Sequence, residues 1–450
     1  MTFPRKQLAG ASALALVLTL GSTMISAQVD ERYPPGWGPS PQLPQPQSST
    51  LPTLKWSVDS EDWPADATPK AAQGLQVKAF AKGLKHPRWI HVLPNGDVLV
   101  AEAATEASES WNPRALVQSA VQRRAGSITE NANRISLLRD TTGDGVADQQ
   151  EVFLEGLRQP FGMALIGDQL YVANTDSVVR FPYKEGDTKI TDKGTKIIDL
   201  PVGHHWTRAL ASRDGKTLYV TVGSGSNVAE KGVEKEEGRA AILAIDLAAG
   251  TSRIFASGLR NPNGMDFEPN TGQLWTVVNE RDEIGDDLPP DYLTSVKDGG
   301  FYGWPYSYWG KNVDERVKPP RPDLVATALT PDYALGAHTA SLGMTFAKSR
   351  NFPERFREGA FIGQHGSWNR SNYAGYKVVF VPFRDGKPSG PPQDVLTGFM
   401  KDTDSGVTYG RPVGVTFDTR GGLLVADDVG NTIWRVTGEP ATTGEEQPKQ

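Results

Sequence analysis

The chain contains no cysteine among its 450 residues. That single absence excludes disulfides, thiolate metal sites, a covalently attached c-type haem and a lipoprotein anchor, so its stability must come from packing. A surplus of positive charge is also missing: the formal net charge is −6 and the sequence pI is near 5.7. Nucleic acid and anionic membrane surfaces are therefore poor partners, and a small neutral or polar ligand fits better. Beyond the N-terminus no stretch reaches the ~18 to 20 apolar residues that a membrane span requires, which argues against stable membrane insertion. Histidine is scarce, at six in the whole chain.

The N-terminus, MTFPRKQLAGASALALVLTLGSTMISAQ, orders Arg5 and Lys6, an apolar run and then small residues around Ser26 and Ala27. This is the order of a secretory signal peptide, with cleavage expected after Ala27 and a mature protein that is secreted or periplasmic. Residues 28–74 form a leader that is rich in Pro, Ser and Gln up to about Ser60, and the tail 438–450 is polar. The folded unit expected between them spans 75–437.

Within that unit one pattern recurs six times: a Gly, a basic or polar residue, often a Pro, an apolar-alternating strand, a turn, and a second strand. The copies begin at Gly83 (GLKHPRWIHVLPNGDVLVAEA), Gly156 (GLRQPFGMALIGDQLYVANT), Gly203 (GHHWTRALASRDGKTLYVTVGS), Gly258 (GLRNPNGMDFEPNTGQLWTVVNE), Gly336, in a looser form, and Tyr409 (YGRPVGVTFDTRGGLLVADD). Short period-2 strands with turn signals at each join predict an all-β, six-bladed β-propeller of four-stranded antiparallel blades. A parallel α/β fold is disfavoured because no long segment between the strands keeps a 3.6-residue apolar period. The cluster GSGSNV at Gly223 lacks the third glycine of a dinucleotide fingerprint and opens no evident helix.

If each repeat opens on the innermost strand of a blade, the opening residues converge on one rim of the central channel. They are Lys85, His86, Arg158, Gln159, His204, His205, Arg260, Asn261, His338 and Arg411. So many cationic and polar groups predict a concave, electropositive pocket for an anionic ligand; the alternative is that each simply hydrogen-bonds turn backbone. Two acid-rich loops add candidate cation sites. In DTTGDGVADQQE, Asp140, Thr142, Asp144, Asp148 and Glu151 fall at calcium-loop places 1, 3, 5, 9 and 12, with Gly145 at place 6. The flanking segments read as strands, so an acidic hairpin turn is the competing reading. NERDEIGDDLPPDYLT, from Asn279, offers carboxylates and free loop carbonyls, although a solvated charged loop would look the same.

Together the stretches HPRWIHVLPNGDVLVAE, NRISLLRDTTGDGVAD, GHHWTRAL, GLRNPNGM, NERDEIGDDL with GGFYGWPY, QHGSWNRS and GRPVGVTF resemble the L-sorbosone dehydrogenase-like group of soluble pyrroloquinoline quinone (PQQ)-dependent sugar dehydrogenases. That group is related to soluble quinoprotein glucose dehydrogenase and the aldose sugar dehydrogenases. The likeness runs from about Leu75 to Val436. It implies PQQ at the top of the channel, a Ca2+ ion bridging quinone and protein, and a histidine that removes the sugar hydroxyl proton while hydride passes to the quinone. The base is then His205, which stands three residues before Arg208, or His204. Arg260, Asn261 and Arg411 are the implied PQQ contacts, with Arg208 and Arg370 as further cofactor-side candidates. The backbone carbonyls of Glu280 and Arg281 are the implied calcium ligands. Three departures stand out: Tyr409 replaces one arginine of a pair, the family's PQQ-contacting lysine has no counterpart beyond Arg370 in SWNR, and no carboxylate is evident to orient His205. The substrate implied is a small sugar or sugar aldehyde such as sorbosone, and the electron acceptor is external, a quinone or a separate cytochrome. A calcium-dependent propeller lactonase and a non-catalytic glycan- or protein-binding propeller are the alternatives. The insertion from Ala104 to Gly126 reads as a helix covering the channel mouth.

Overall fold

Strands made of these repeats cannot bury both faces alone, so each sheet must pack against the next. The computed structural model describes residues 30–47, 58–107, 113–368 and 370–439. The apolar N-terminal segment and the Ala27 cleavage position lie outside these residues. Arg32–Gln450 forms one compact unit. Among the described residues no helix is long and apolar enough to cross a membrane.

Among the described residues six sheets of four or more strands follow one another along the chain, all antiparallel except that Gly300–Phe301 joins the third by a parallel pairing with Thr251–Ser257. The first contains Pro87–Val92, Val98–Glu102, Arg134–Arg139 and Gln149–Leu154; the second contains Met163–Ile166, Gln169–Ala173, Ser177–Pro182 and Thr195–Asp199. The third to sixth sheets begin with Leu210–Ala211, Pro262–Phe267, Ser341–Phe346 and Pro412–Phe417. Each leading strand lies beside the leading strand of the next sheet, and the sixth lies beside the first. The sixth sheet is completed from the other end of the chain, because Leu75–Lys82 pairs antiparallel with Thr432–Gly438. That pairing ties the two ends of the folded unit together.

Small residues permit the leading strands to approach. A Cβ added at Gly162, Gly264, Gly343 or Gly414 would stand under 3.0 Å from the backbone of Arg208, Met344, Val413 or Arg88 respectively, each in the next sheet's leading segment. These are the glycines of the recurring FGM, NGM, LGM and VGV triplets, so the repeat signature records a steric need of the ring. Second strands such as Val98–Glu102, Leu274–Val278 and Leu423–Asp427 are buried along their whole length. They read as continuous apolar runs because a neighbouring sheet covers each face. The apolar clusters accordingly lie between sheets: Tyr171, Val220 and Leu243 between the second and third, Leu293, Met344 and Ile362 between the fourth and fifth, and Ile90, Val98 and Leu424 between the sixth and first.

The leader is held against this unit. Trp37–Gly38 adds a strand to the fourth sheet, Lys70–Ala71 adds one to the fifth, and the Trp63 indole packs on Trp434 and Tyr409 while donating to Asp427 Oδ2 at 2.8 Å. Tyr409, at the position where the resemblance expects an arginine, is thus part of an aromatic stack.

Candidate active site

Consecutive antiparallel strands send their connections alternately to two faces. The segments before each leading strand and those after each second strand therefore share one face, and the turns between first and second strands and between third and fourth share the other. The first face carries almost all the chemistry: His86, Gln159, His204, His205, Arg260, Asn261, His338 and Arg411 from the openings, and Ser224, Glu280, Arg281, His365, Arg370 and Asp428 from the ends of second strands and the loops that follow. Arg88, Arg208, Arg260, Arg281 and Arg411 are all buried there, which makes the face strongly cationic beneath its surface. The helix Pro113–Arg124 lies in a connection on this face, and Arg411 Nη1 donates to Ser127 just beyond it at 3.2 Å.

His205 is half-buried and held from behind. Its Nδ1 lies 2.8 Å from the Ser224 carbonyl oxygen, so the ring proton sits on Nδ1 and Nε2 keeps its lone pair. Burial, then the neighbouring Arg260, holds the imidazole well below the ordinary histidine range, leaving it neutral and able to accept a proton. His204 is exposed, and its ring meets that of His205 edge-on with centroids 4.8 Å apart. Arg208 holds the loop in shape: Nη1 donates to the His205 and Thr207 carbonyls at 2.7 and 2.8 Å, and Nη2 donates to Pro201 at 2.7 Å. Arg208 thus braces its own loop. Gly223 is the floor: a Cβ there would strike both Asn261 Oδ1 and His205 Cβ. Asn261 Oδ1 is buried beside the imidazole without a hydrogen-bond partner, a free acceptor at the centre of the cluster.

Arg260 joins two loops. Its guanidinium donates to Asn279 and Glu280 carbonyls at 3.2 and 2.6 Å and to Asn227 Oδ1 at 2.9 Å. The Glu280 carbonyl is therefore already an acceptor in this structure, and Arg260 contributes chiefly its charge to the space above. Arg281 pairs with Asp314 at 2.7 Å, while its Nε and Nη2 stay buried without partners. Below the loop lie two buried carboxyls. Burial pushes Glu280 up to about 7 against the pull of Arg260, and Asp291 up to about 6. His338 bridges Asp282 Oδ1 at 3.1 Å and the Gly285 carbonyl at 2.9 Å, and although burial opposes the charged ring, these partners raise its pKa.

Across the face stands a second histidine cluster that the repeat pattern did not anticipate as a unit. Asp428 Oδ2 takes His365 Nε2 at 2.8 Å, His86 Nε2 at 3.3 Å and Arg88 Nη1 at 2.5 Å. Arg411 donates from Nε to the His365 carbonyl and from Nη2 to Gly366, each at 2.8 Å. The Arg88 guanidinium lies 5.4 Å from the Trp206 ring centre, which links this cluster to the loop of His205. Arg370 pairs with Asp287 at 2.6 Å, tying the loop after Gln364 to the loop after Val278.

The loop from Asp140 to Glu151 lies on the other face, as the connection between third and fourth strands of the first sheet. Its carboxylates are turned on the loop itself. Asp140 accepts from the Gly143 and Gly145 amides at 2.7 Å and pairs with Arg420, Asp148 accepts from Thr141 and Thr142, and Asp144 accepts from Val146. The Thr142 hydroxyl turns to Asp140, and Glu151 lies within the strand Gln149–Leu154. Among the described residues no three His, Asp or Glu side chains are grouped so as to hold a metal ion.

Sequence reasoning missed Ser224, Glu236, Asp291 and Asp428. For Ser224 and Asp428 the signal was present at the ends of the second strands, which read AEA, ANT, GSG, NER, QHG and DDV: polar residues in phase with the polar openings. Glu236, in a 3-10 turn, and Asp291, inside a third strand, carry no such mark.

The chain matches the TrAA12-like family over residues 69–289 and 325–439, and it belongs to that family. It is 36% identical over 298 residues to an uncharacterized protein of Borreliella burgdorferi, covering 62% of this chain and 76% of that protein. It is 25% identical over 419 residues to a pyrroloquinoline quinone-dependent sugar dehydrogenase of Hypocrea jecorina, covering 80% and 87% of the two chains. Its fold is similar to the calcium structure of a Trichoderma reesei carbohydrate-active enzyme of family AA12, with a TM-score of 0.67 at 21% identity, covering 82% and 97%.

Proposed function

We propose that this protein is a PQQ- and calcium-dependent dehydrogenase that oxidises an aldose or sugar aldehyde on the face described above, with His205 as the base. The observation that carries the reading is the His205 tautomer: Nδ1 is committed to the Ser224 carbonyl, and the bare Nε2 belongs to a ring kept neutral by burial and Arg260. The six sheets are read as the blades of a closed β-propeller whose channel opens at this site, in keeping with the sequential contacts of their leading strands. The Hypocrea jecorina relative supports the cofactor, and the calcium structure of the AA12 enzyme supports the ion.

The residues present fit both groups. PQQ is a tricarboxylate, and the buried charges of Arg260, Arg281 and Arg411 favour an anion here, with Arg281 Nη2 and Nε still without partners. Asn261 Oδ1 is a free acceptor beside the base. Glu280 and Asp291 are carboxyls whose pKa values burial raises, and together with the Glu280 and Arg281 carbonyls they offer oxygen donors of the kind a hard divalent ion takes. When bound, the cofactor supplies a two-electron quinone acceptor, with calcium as the Lewis acid on its oxygen.

The chain's own part is then proton and substrate handling. His205 Nε2 takes the proton of the reacting hydroxyl, His204 lines the mouth from the same loop, and burial with Arg260 keeps the imidazole unprotonated before substrate arrives. The N-terminal segment directs export, so the reaction takes place outside the cytoplasm with a separate electron acceptor. The loop from Asp140 to Glu151, on the far face, stands outside this chemistry. Adding PQQ and calcium to purified apoprotein tests the reading: a bound quinone spectrum that bleaches with an aldose or sugar aldehyde is expected. Failure to bind PQQ at micromolar protein would overturn it.

A further inference from the structure

The segment Gly223-Ser224-Gly225-Ser226 resembles part of a nucleotide loop in sequence but lies directly behind His205. Two acceptors converge on His205 Nδ1. One is the Ser224 carbonyl at 2.8 Å; the other is the Ser224 hydroxyl oxygen at 3.1 Å, whose own proton goes to the Ser226 carbonyl at 2.6 Å. Both therefore hold the proton on Nδ1. Neither would stay in place unaided, because the turn is built of glycine and serine and is free to rearrange. What fixes it is Glu236, at the end of the 3-10 turn Val233–Glu236 and itself buried. One carboxylate oxygen accepts the Gly225 amide at 2.6 Å, and the other accepts the Ser226 hydroxyl. The Ser224 amide is tied in turn to the Arg260 carbonyl at 2.8 Å.

We propose that Glu236 is a positioning residue for His205: its carboxylate clamps the Ser224–Ser226 turn, whose carbonyl and hydroxyl keep the proton on Nδ1 and turn Nε2 to the substrate. The inference rests on the reading of His205 as the base. It supplies the orienting group that no carboxylate in contact with the ring provides. A peptide carbonyl accepts a hydrogen bond without neutralising an imidazolium, so this arrangement sets the tautomer while leaving the base weaker than one paired with a carboxylate.

The test reads the tautomer directly. In the apoprotein labelled with 15N-histidine, with His205→Ala assigning the signals, wild type is expected to show a protonated Nδ1 and a bare Nε2. Glu236→Ala is expected to show a mixture of tautomers, and Glu236→Gln to restore most of the wild-type pattern. In the PQQ- and calcium-loaded enzyme, Glu236→Ala is expected to lower kcat about 10-fold, in the range typical of outer-shell partners, with KM little changed. If the alanine variant does not fold, Ser226→Ala removes one of the two groups the carboxylate holds and carries the same readout. A wild-type Nε2–H tautomer, or folded variants with unchanged tautomer and kcat, overturns the proposal. A tautomer shift in a protein that oxidises no sugar overturns the assigned reaction and supports the clamp.

Discussion

Two histidine clusters stand on one face of this molecule, and they solve opposite problems. His205 faces a peptide carbonyl and keeps Nε2 free, whereas His86 and His365 both turn Nε2 onto Asp428, beside Arg88. Burial lowers all three imidazoles, and what differs is which nitrogen is held and by what: Nδ1 by a peptide carbonyl in His205, Nε2 by a buried carboxylate in His86 and His365. Burial and low basicity alone therefore do not mark a base; what distinguishes His205 is the partner behind the ring. The Asp428 cluster is a charge-satisfied brace joining the first, fifth and sixth sheets. Asp428 stays ionised although burial opposes it, because His365, His86 and Arg88 hold its carboxyl well below the usual range.

Substitution on each side should separate the two roles. His205→Ala is expected to lower kcat by about 10²- to 10⁴-fold, the usual contribution of a general base. Steady-state dye reduction checks this, with the thermal midpoint unchanged. Asp428→Ala is expected to do the reverse in kind, destabilising the fold by about 3 to 5 kcal/mol because a buried arginine and two imidazoles lose their shared acceptor. Urea unfolding reads that loss, and a wild-type midpoint would remove the brace from the account.

The pH dependence of stability follows from the same cluster. Unfolded histidines take up a proton near 6.5, whereas His86 does so only at about 4 and His365 at about 3 when folded, burial being the main cause. Between those values the unfolded chain binds more protons at these two sites, so their contribution to stability should fall as pH drops from 6.5 towards 4, offset in part by Glu280 and Asp291, whose raised folded values act in the opposite sense. Denaturation midpoints at pH 7, 6 and 5 test the sign, and replacing His86 by phenylalanine should flatten the slope. The smallest effect expected is that of Gly343→Ala in the ring of leading strands. With Val413 backbone in the way, it should cost about 1 to 3 kcal/mol through overpacking while leaving both clusters chemically intact.

Much of this architecture was legible in the sequence. The six openings predicted the leading strands because turn glycines and period-2 apolar residues act locally, and the convergence of His86, His205, Arg260, His338 and Arg411 followed from the repeat phase. The partner of each group was not legible. Arg208 and Arg411, expected at the cofactor, donate to backbone carbonyls of their own surroundings, and which acceptor a guanidinium finds depends on loop conformation. The orienting group of His205 was sought as a carboxylate in contact with the ring, and a carbonyl held by Glu236 leaves no such mark. The spacing of Asp140 to Glu151 matches a calcium loop, yet the structure points its carboxylates at the loop's own amides, a use that demands the same residue types at the same intervals.

The most direct test of the central claim is the absorbance of bound quinone after one addition of aldose or sugar aldehyde to the PQQ- and calcium-loaded protein, in wild type and His205→Ala side by side. Both proteins should bind the cofactor, and only wild type should bleach rapidly. Equal bleaching rates would contradict His205 as the base, and absence of a bound quinone spectrum in wild type would contradict the assigned chemistry.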